Sequence, residues 1–363
     1  MFDHKHYVPI LKGKDGEYGA LKELPTVVKS RLTPLIETPP IPWDFVNEVP
    51  AKTIDSHLEK VCEKIGGCWD TTRPLFLDLL WIPESERMSD SRHPVTFVFE
   101  DCRSKGLRLI PVTGLRRATT YQDAVKDVIA TDKLGVCVRL ENEDFVGLSK
   151  LSAKLADLLK DLGARPQDTD LILDFKEVPA SQTSAIVIAA QSILATLPNI
   201  NEWRTLTLAA TGFPSSLGGI TAASFGTISR SEWIIWTTLA NNRTELPRLP
   251  TFGDYGINHP DPLEIDPRVM KMSANLRYAV ETEWLILKGR SVKDYGFEQF
   301  HGLCKTMLGR PEYKGAAFSW GDEYINDCAG RTSNPGNATT WRKVGTNHHL
   351  ALVVEQIASF PGL

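Results

Sequence analysis

Two periodicities alternate along the chain. Short runs in which nearly every position is apolar recur at Tyr7 (YVPILKG), Leu32 (LTPLIETPP), Pro74 (PLFLDLLWI), Leu107 (LRLIPVTG), Gly135 (GVCVRLE), Asp170 (DLILDFKEV), Arg204 (RTLTLAATGFP) and, less clearly, Thr251 (TFGDYGI). Between them apolar residues return every three to four positions: Ile54, Leu58, Val61, Cys62 and Ile65 in one segment, Val95, Val98, Phe99 and Cys102 in another. Leu148, Leu151, Leu155, Leu158, Leu159 and Leu162 form the clearest helical stripe, with Gly163 as its stop signal.

Strands that are apolar on both faces and joined by helices belong to a parallel sheet covered by helices. Eight such units in roughly 260 residues match the size of a (β/α)8 barrel. The predicted fold class is therefore α/β, a TIM-like barrel over residues 1–265. An open doubly wound sheet is the rival, but LKGKDGEYGALKEL does not supply its G-x-G-x-x-G turn, and no G-x-x-x-x-G-K-[ST] occurs. After residue 265 the rhythm breaks. NLRYAVETEWLILKG reads as two strands around Glu281 to Glu283, YGFEQFHGLCKTMLG as a helix, Gly330 to Asn337 as a loop, and NHHLALVVEQIA as a last helix. These make a C-terminal α+β appendage over residues 266–363, packed on a barrel expected to fold without it.

Composition narrows the function classes. With 42% hydrophobic and 24% charged residues the chain has the balance of a globular protein, and a net charge of -4 gives no general attraction for nucleic acid. A local basic patch stays open. No segment is long and apolar enough to span a bilayer, and MFDHKHYVPI lacks the apolar core of a secretory signal, so a cytoplasmic location is expected. None of the six cysteines forms a C-x-x-C pair, and all are expected to be reduced, mostly buried thiols.

The barrel reading gives the charged residues a common place. Three strands carry an apolar pair and then an acid near their C-terminal ends: Glu37 in LIE, Asp78 in FLD and Asp174 in ILD. A lone carboxylate such as Asp78 inside an apolar strand is costly unless it is paired or used. The first strand adds Lys12 and Lys14, the fifth Arg139 and Glu141, the eighth Asp254, and His259 follows just beyond. In a barrel of parallel strands all these ends face the mouth, where active sites sit. Glu37, Asp78 and Asp174 are the candidate catalytic residues, while Lys12, Lys14, Arg139, Glu141, Asp254 and His259 are candidate ligand contacts. Clustered carboxylates would hold Mg2+ or act as acid and base, and the cations would hold phosphate or carboxylate. The same residues also suit structural ion pairs.

Other features point to packing. His348 and His349 are adjacent, so on a helix they diverge by about 100° and bind no common metal; they read as helix-entry residues beside an Asn347 cap. FSWGDEYI reads as a helix start whose acids suit the helix dipole. Trp233, Trp236 and Trp284 sit in apolar patterns and are expected to fill core.

YVPILKGKDGEYGALKEL, LTPLIETPPIPWD, FSWGDEYI and TTWRKVGTNHHLALVVEQIA together resemble the beta protein family of bacteria and phages. The resemblance spans almost the whole chain and brings no catalytic residues with it. Its opening is also similar to that of products encoded beside a small nuclease-like protein in phage-defence gene pairs. This implies a role in conflict between phage and host, with a nuclease-like protein or a phage component as partner. Two readings follow: a barrel whose mouth binds a polar, anionic small molecule, with or without catalysis, or a non-catalytic scaffold whose irregular C-terminal part recognises that partner.

Overall fold

The computed structural model describes residues 2–262 and 272–362. Its strands are, in chain order, β1 (Tyr7–Leu11), β2 (Leu35–Glu37), β3 (Trp43–Asp44), β4 (Val49–Pro50), β5 (Leu75–Asp78), β6 (Leu109–Thr113) and β7 (Val136–Glu141). There follow β8 (Thr169–Glu177), β9 (Thr205–Thr211), β10 (Ser224–Ser229), β11 (Thr251–Asp254), β12 (Ser273–Ala279) and β13 (Glu283–Ser291). Strands β1, β2, β5, β6, β7, β8, β9 and β11 pair in parallel in that order, and β11 returns to β1 to close the sheet. This is a TIM barrel, and each of the eight apolar runs supplies one strand. Closure excludes the doubly wound alternative.

Alternation along each strand explains why the runs look uniformly apolar. Val8, Ile10, Leu35, Phe76, Ile110, Val112, Cys137, Ile172, Ala209 and Tyr255 fill the interior. Their neighbours Tyr7, Leu11, Ile36, Leu75, Leu77, Val138, Leu171 and Leu208 face outward and are covered by helices. The leucine stripe forms helix Leu151–Leu162, and Gly163 ends it at φ 66°; Leu148 belongs to a preceding 3-10 turn. The stripe from Ile54 to Ile65 breaks into Ile54–Leu58 and Val61–Gly66. Adjacent helices in the outer ring bring Cys62 against Cys102, and these two form a disulfide with Cα atoms 5.1 Å apart. The expectation of six reduced thiols therefore fails at this pair, because helix adjacency around a barrel is not written in cysteine spacing. Cys68, Cys137, Cys304 and Cys328 are free and buried.

Beyond the barrel, β12 and β13 form the antiparallel hairpin expected around Glu281 to Glu283. A third strand, β10, pairs with the other edge of β13. It was not foreseen: SFGTIS is short, polar and glycine-containing. It lies in the chain between β9 and helix Ser231–Asn241, so the small sheet draws on segments before and after β11. The expected boundary at residue 265 falls outside the described residues.

The C-terminal helix runs from Ala338 to Ser359 and starts at Asn337, whose side chain accepts from the backbone N–H groups of Thr339 and Thr340. The reading of Asn347 as a cap is thus corrected: Asn347, His348 and His349 lie in the middle of a helix and are buried. Leu350, Val353, Val354 and Ile357 pack on the barrel, while Trp341 and Val344 pack on the small sheet. A helix enclosed on two sides over residues 344–354 has no solvated face there, which is why that stretch left no amphipathic stripe to read. Several of its polar groups are paired inside the protein. Asn347 donates to Ala20 O at 3.0 Å and accepts from Gly321 N at 3.0 Å, and His348 lies 2.8 Å from Asp322, an acid of the FSWGDEYI helix start. Trp233, Trp236 and Trp284 are core residues, as expected. Among the described residues no helix is long and apolar enough to cross a membrane.

Candidate functional site

The acids of the strand ends converge on one guanidinium. Strand pairing sets Glu37 beside Asp78 and Glu141 beside Asp174. Arg139 on β7 projects into the space between them and lies 2.8 Å from Glu37, 3.1 Å from Asp78 and 2.7 Å from Asp174. Lys12 pairs with Glu37 at 2.6 Å and also donates to Pro260 O. Arg117 holds both oxygens of Asp78, at 2.8 and 3.0 Å. A bulge in β8 puts Lys176 at φ 57° and turns it inward, 2.5 Å from Glu141 and 3.3 Å from Asp174. Tyr255 donates to Asp174 at 2.5 Å and Trp81 to Glu37 at 2.9 Å.

Every carboxylate oxygen of Glu37, Asp78 and Asp174 thereby faces a donor, the last being Asp174 Oδ1, which accepts from Lys176 N at 3.0 Å. Burial alone would raise the Glu37 pKa, but Lys12 and Arg139 outweigh it and hold the group at about 2. Burial opposes ionisation of Asp174 as well, and Lys176 and Arg139 reverse that, holding it well below the usual carboxylate range. Carboxylates locked as anions are poor proton donors, and donors already occupy the lone pairs that a base or a metal would need. Among the described residues no group of three or more His, Cys, Asp or Glu side chains is placed to hold a metal ion. The acids, with Lys12, Arg117, Arg139 and Lys176, form a charge-compensated plug that closes the barrel below its mouth.

A second set of cations lies above the plug, around a cavity of about 120 Å³. Lys14 enters from the end of β1. Gly13 at φ 60° turns the chain there, where a Cβ would come 2.7 Å from Glu37 O, and Glu17 fixes the turn by accepting from the backbone N–H groups of Lys12 and Lys14. Arg277 of β12 and Arg342 of the C-terminal helix complete the set, with Trp81, Phe213, Asn258 and His259 around it. Arg277 donates to Ile257 O at 2.7 Å and to Asn275 at 2.9 Å, and its guanidinium stands 4.8 Å from the centre of the Phe213 ring. Among the described residues no carboxylate pairs with Lys14, Arg277 or Arg342. Burial first, and then the neighbouring Arg342 charge, lowers the pKa of Lys14 and brings that of Arg277 down to about 10. Three half-buried cations that repel one another and, among the described residues, have no paired carboxylate make the cavity electropositive.

Residues 7–355 match the family model described as Beta protein. The chain belongs to the Beta protein family. Among solved structures it is similar to a mutant tryptophan synthase alpha-subunit from Pyrococcus furiosus, at 10% identity over 70% of this chain and 87% of that chain with a TM-score of 0.35. It is also similar to a type I 3-dehydroquinate dehydratase from Clostridium difficile, at 13% identity over 70% of this chain and 85% of that chain with a TM-score of 0.35. No curated protein matches the chain. The fold of this Beta protein family member rests on its own closed strand order.

The candidate residues divide into three groups. Lys12, Glu37, Asp78, Arg139 and Asp174 meet in the plug, with Glu141 at its solvent edge, where Arg116 also reaches it at 2.8 Å. Lys14 and His259 line the cavity, and His259 is tied to Glu177 at 3.1 Å. Asp254 belongs to neither. It is one residue out of phase, so it faces the C-terminal helix, accepting from Tyr7 at 2.5 Å and lying 2.6 Å from His349 Nε2, while its neighbour Tyr255 points inward. Arg117, Trp81, Arg277 and Arg342 were missed, since none lies on a barrel strand. Lys176 was missed as well, since its inward turn depends on a bulge that the sequence does not mark.

Glu37 gives the plug a pH signature. Its folded pKa of about 2 lies below the ordinary 4.5, so the stability it contributes is complete above pH 4.5 and is lost as the pH falls through about 2. At 1.36 kcal/mol per unit the effect is roughly 3 kcal/mol. Denaturant midpoints measured from pH 5 to pH 2 should fall more steeply in the native protein than in Glu37→Gln.

Proposed function

We propose that the protein is a ligand-binding barrel whose mouth holds a compact anion, a phosphate or carboxylate group, between Lys14, Arg277 and Arg342. The observation that carries this reading is the division of charge. Each strand-end acid has a cation of its own, whereas among the described residues no acid is paired with these three cations; Asp261, which also lines the cavity, lies 3.9 Å from His259 instead. Charge-assisted hydrogen bonds of about 1.5–3 kcal/mol each would then fix the anion. Membership of the Beta protein family and the likeness of the opening motif to phage-defence products support conflict between phage and host as the setting, in the cytoplasm, with a nuclease-like protein or a phage component as partner. One feature favours the scaffold reading as a second possibility. The β3–β4 hairpin leaves Trp43, Val46 and Val49 exposed at 43%, 71% and 48%, an apolar tip suited to docking a protein.

Calorimetric titration with inorganic phosphate tests the first reading. The native protein should bind, and Lys14→Ala or Arg342→Ala should weaken binding roughly tenfold to a hundredfold with the melting temperature nearly unchanged. Absence of binding, or binding indifferent to both substitutions, sinks the reading.

A further inference from the structure

Lys14 and Arg342 are also the inner end of a larger, more open groove of about 360 Å³. Lys52, Lys60 and Lys64 line its outer part. The acid in its wall, Asp15, is already held by Lys64 at 2.7 Å. In a chain of net charge -4 this local excess of positive charge is a property of the site and not of the composition. Pro39, Pro40 and Pro42 form the facing wall, a stretch of backbone with little freedom to lose on binding.

His57 supplies a separate observation. It is 7% exposed and lines the groove, and its Nε2 lies 2.8 Å from Pro39 O, so that nitrogen carries the donated proton. Its Nδ1 is buried without a hydrogen-bond partner among the described residues. A buried ring nitrogen left open costs free energy unless a bound group meets it. Burial first, and then the charges of Lys52 and Lys64, disfavours protonation of the free ring. An anion beside Lys52 and Lys64 reverses the electrostatic part of this.

We propose that the ligand of the mouth is a phosphate chain, an anion of two or more linked phosphates. Its end sits between Lys14, Arg277 and Arg342, and its remainder lies along Lys52, Lys60 and Lys64 against His57. The proposal rests on the anion-binding reading of the mouth and extends it to a substrate class. Inorganic polyphosphate and the tail of a nucleoside polyphosphate share this chemistry.

The test is calorimetric titration of the full chain with inorganic phosphate, tripolyphosphate and ATP. Tripolyphosphate should bind at least tenfold tighter than phosphate and with steeper salt dependence. Lys52→Ala/Lys60→Ala, a change of two exposed side chains, should abolish that gain while leaving phosphate binding intact. In NMR titrations the His57 ring should take up a proton at higher pH with tripolyphosphate bound than in the free protein. Tighter binding of ATP than of tripolyphosphate identifies the nucleoside form, and looser binding the inorganic one; both support a phosphate chain. Tripolyphosphate binding no tighter than phosphate, or a gain that survives the double substitution, overturns the proposal while leaving the mouth reading in place. Failure of phosphate itself to bind defeats the mouth reading instead.

Discussion

Arg139→Ala is expected to lose about 5 kcal/mol or more of stability, enough to leave most of the chain unfolded at 37 °C. Arg139 is the shared partner of Glu37, Asp78 and Asp174, all three fully buried, and it also donates to Tyr255 at 2.6 Å. Removing it leaves three carboxylates with too little positive charge, and breaking even one buried pair by deleting a partner costs about 3–5 kcal/mol. Lysine is no substitute, because a single ammonium cannot reach three acids from one strand position. Adding Glu37→Gln to Arg139→Ala should restore part of the loss, since it removes one of the uncompensated charges. Chemical denaturation followed by circular dichroism measures both effects. An Arg139→Ala protein within about 1 kcal/mol of the native one would show that the plug is not what holds the mouth together.

Removing residues 272–363 should destroy the barrel and not merely trim it. The C-terminal helix buries Leu350, Val353, Val354 and Ile357 against the barrel. At about 1.5–3 kcal/mol for each large apolar side chain, these four alone amount to roughly 6–12 kcal/mol, comparable with the whole stability of a domain. The truncation also takes β13 from β10 and His349 from Asp254, leaving an unpaired strand and an acid buried in the barrel wall. The shortened chain is expected to lack a cooperative thermal transition and to bind hydrophobic dyes. A monomer that melts cooperatively within a few degrees of the full chain would instead restore the view of the C-terminal part as a removable appendage.

These two cases show which parts of the structure the sequence made legible. The barrel was readable because strands buried on both faces leave long apolar runs, and eight of them at helix-sized intervals admit few topologies. The inward residues followed from strand phase for Glu37, Asp78, Arg139 and Asp174. Phase failed at Asp254, where the run TFGDYGI is too short to show which of Asp254 and Tyr255 points inward. The proposed anion site was nearly invisible. Only Lys14 sits beside a barrel strand, while Arg277 and Arg342 arrive from a hairpin strand and a helix start more than 250 residues away. Nothing local marks a charge whose meaning comes from having no acid paired with it among the described residues. The first turns of the C-terminal helix, before Asn347, and β10 hid for a related reason, since their packing is created by contacts distant in sequence.

The central claim is that the strand-end acids are structural and that the ligand belongs to the cations above them. Anomalous diffraction from crystals soaked with both selenate and Mn2+ tests it in one experiment. The account predicts a selenium peak in the cavity between Lys14, Arg277 and Arg342, and no manganese among Glu37, Asp78 and Asp174. A manganese peak at those acids with Arg139 displaced, and no selenate at the cations, would contradict it.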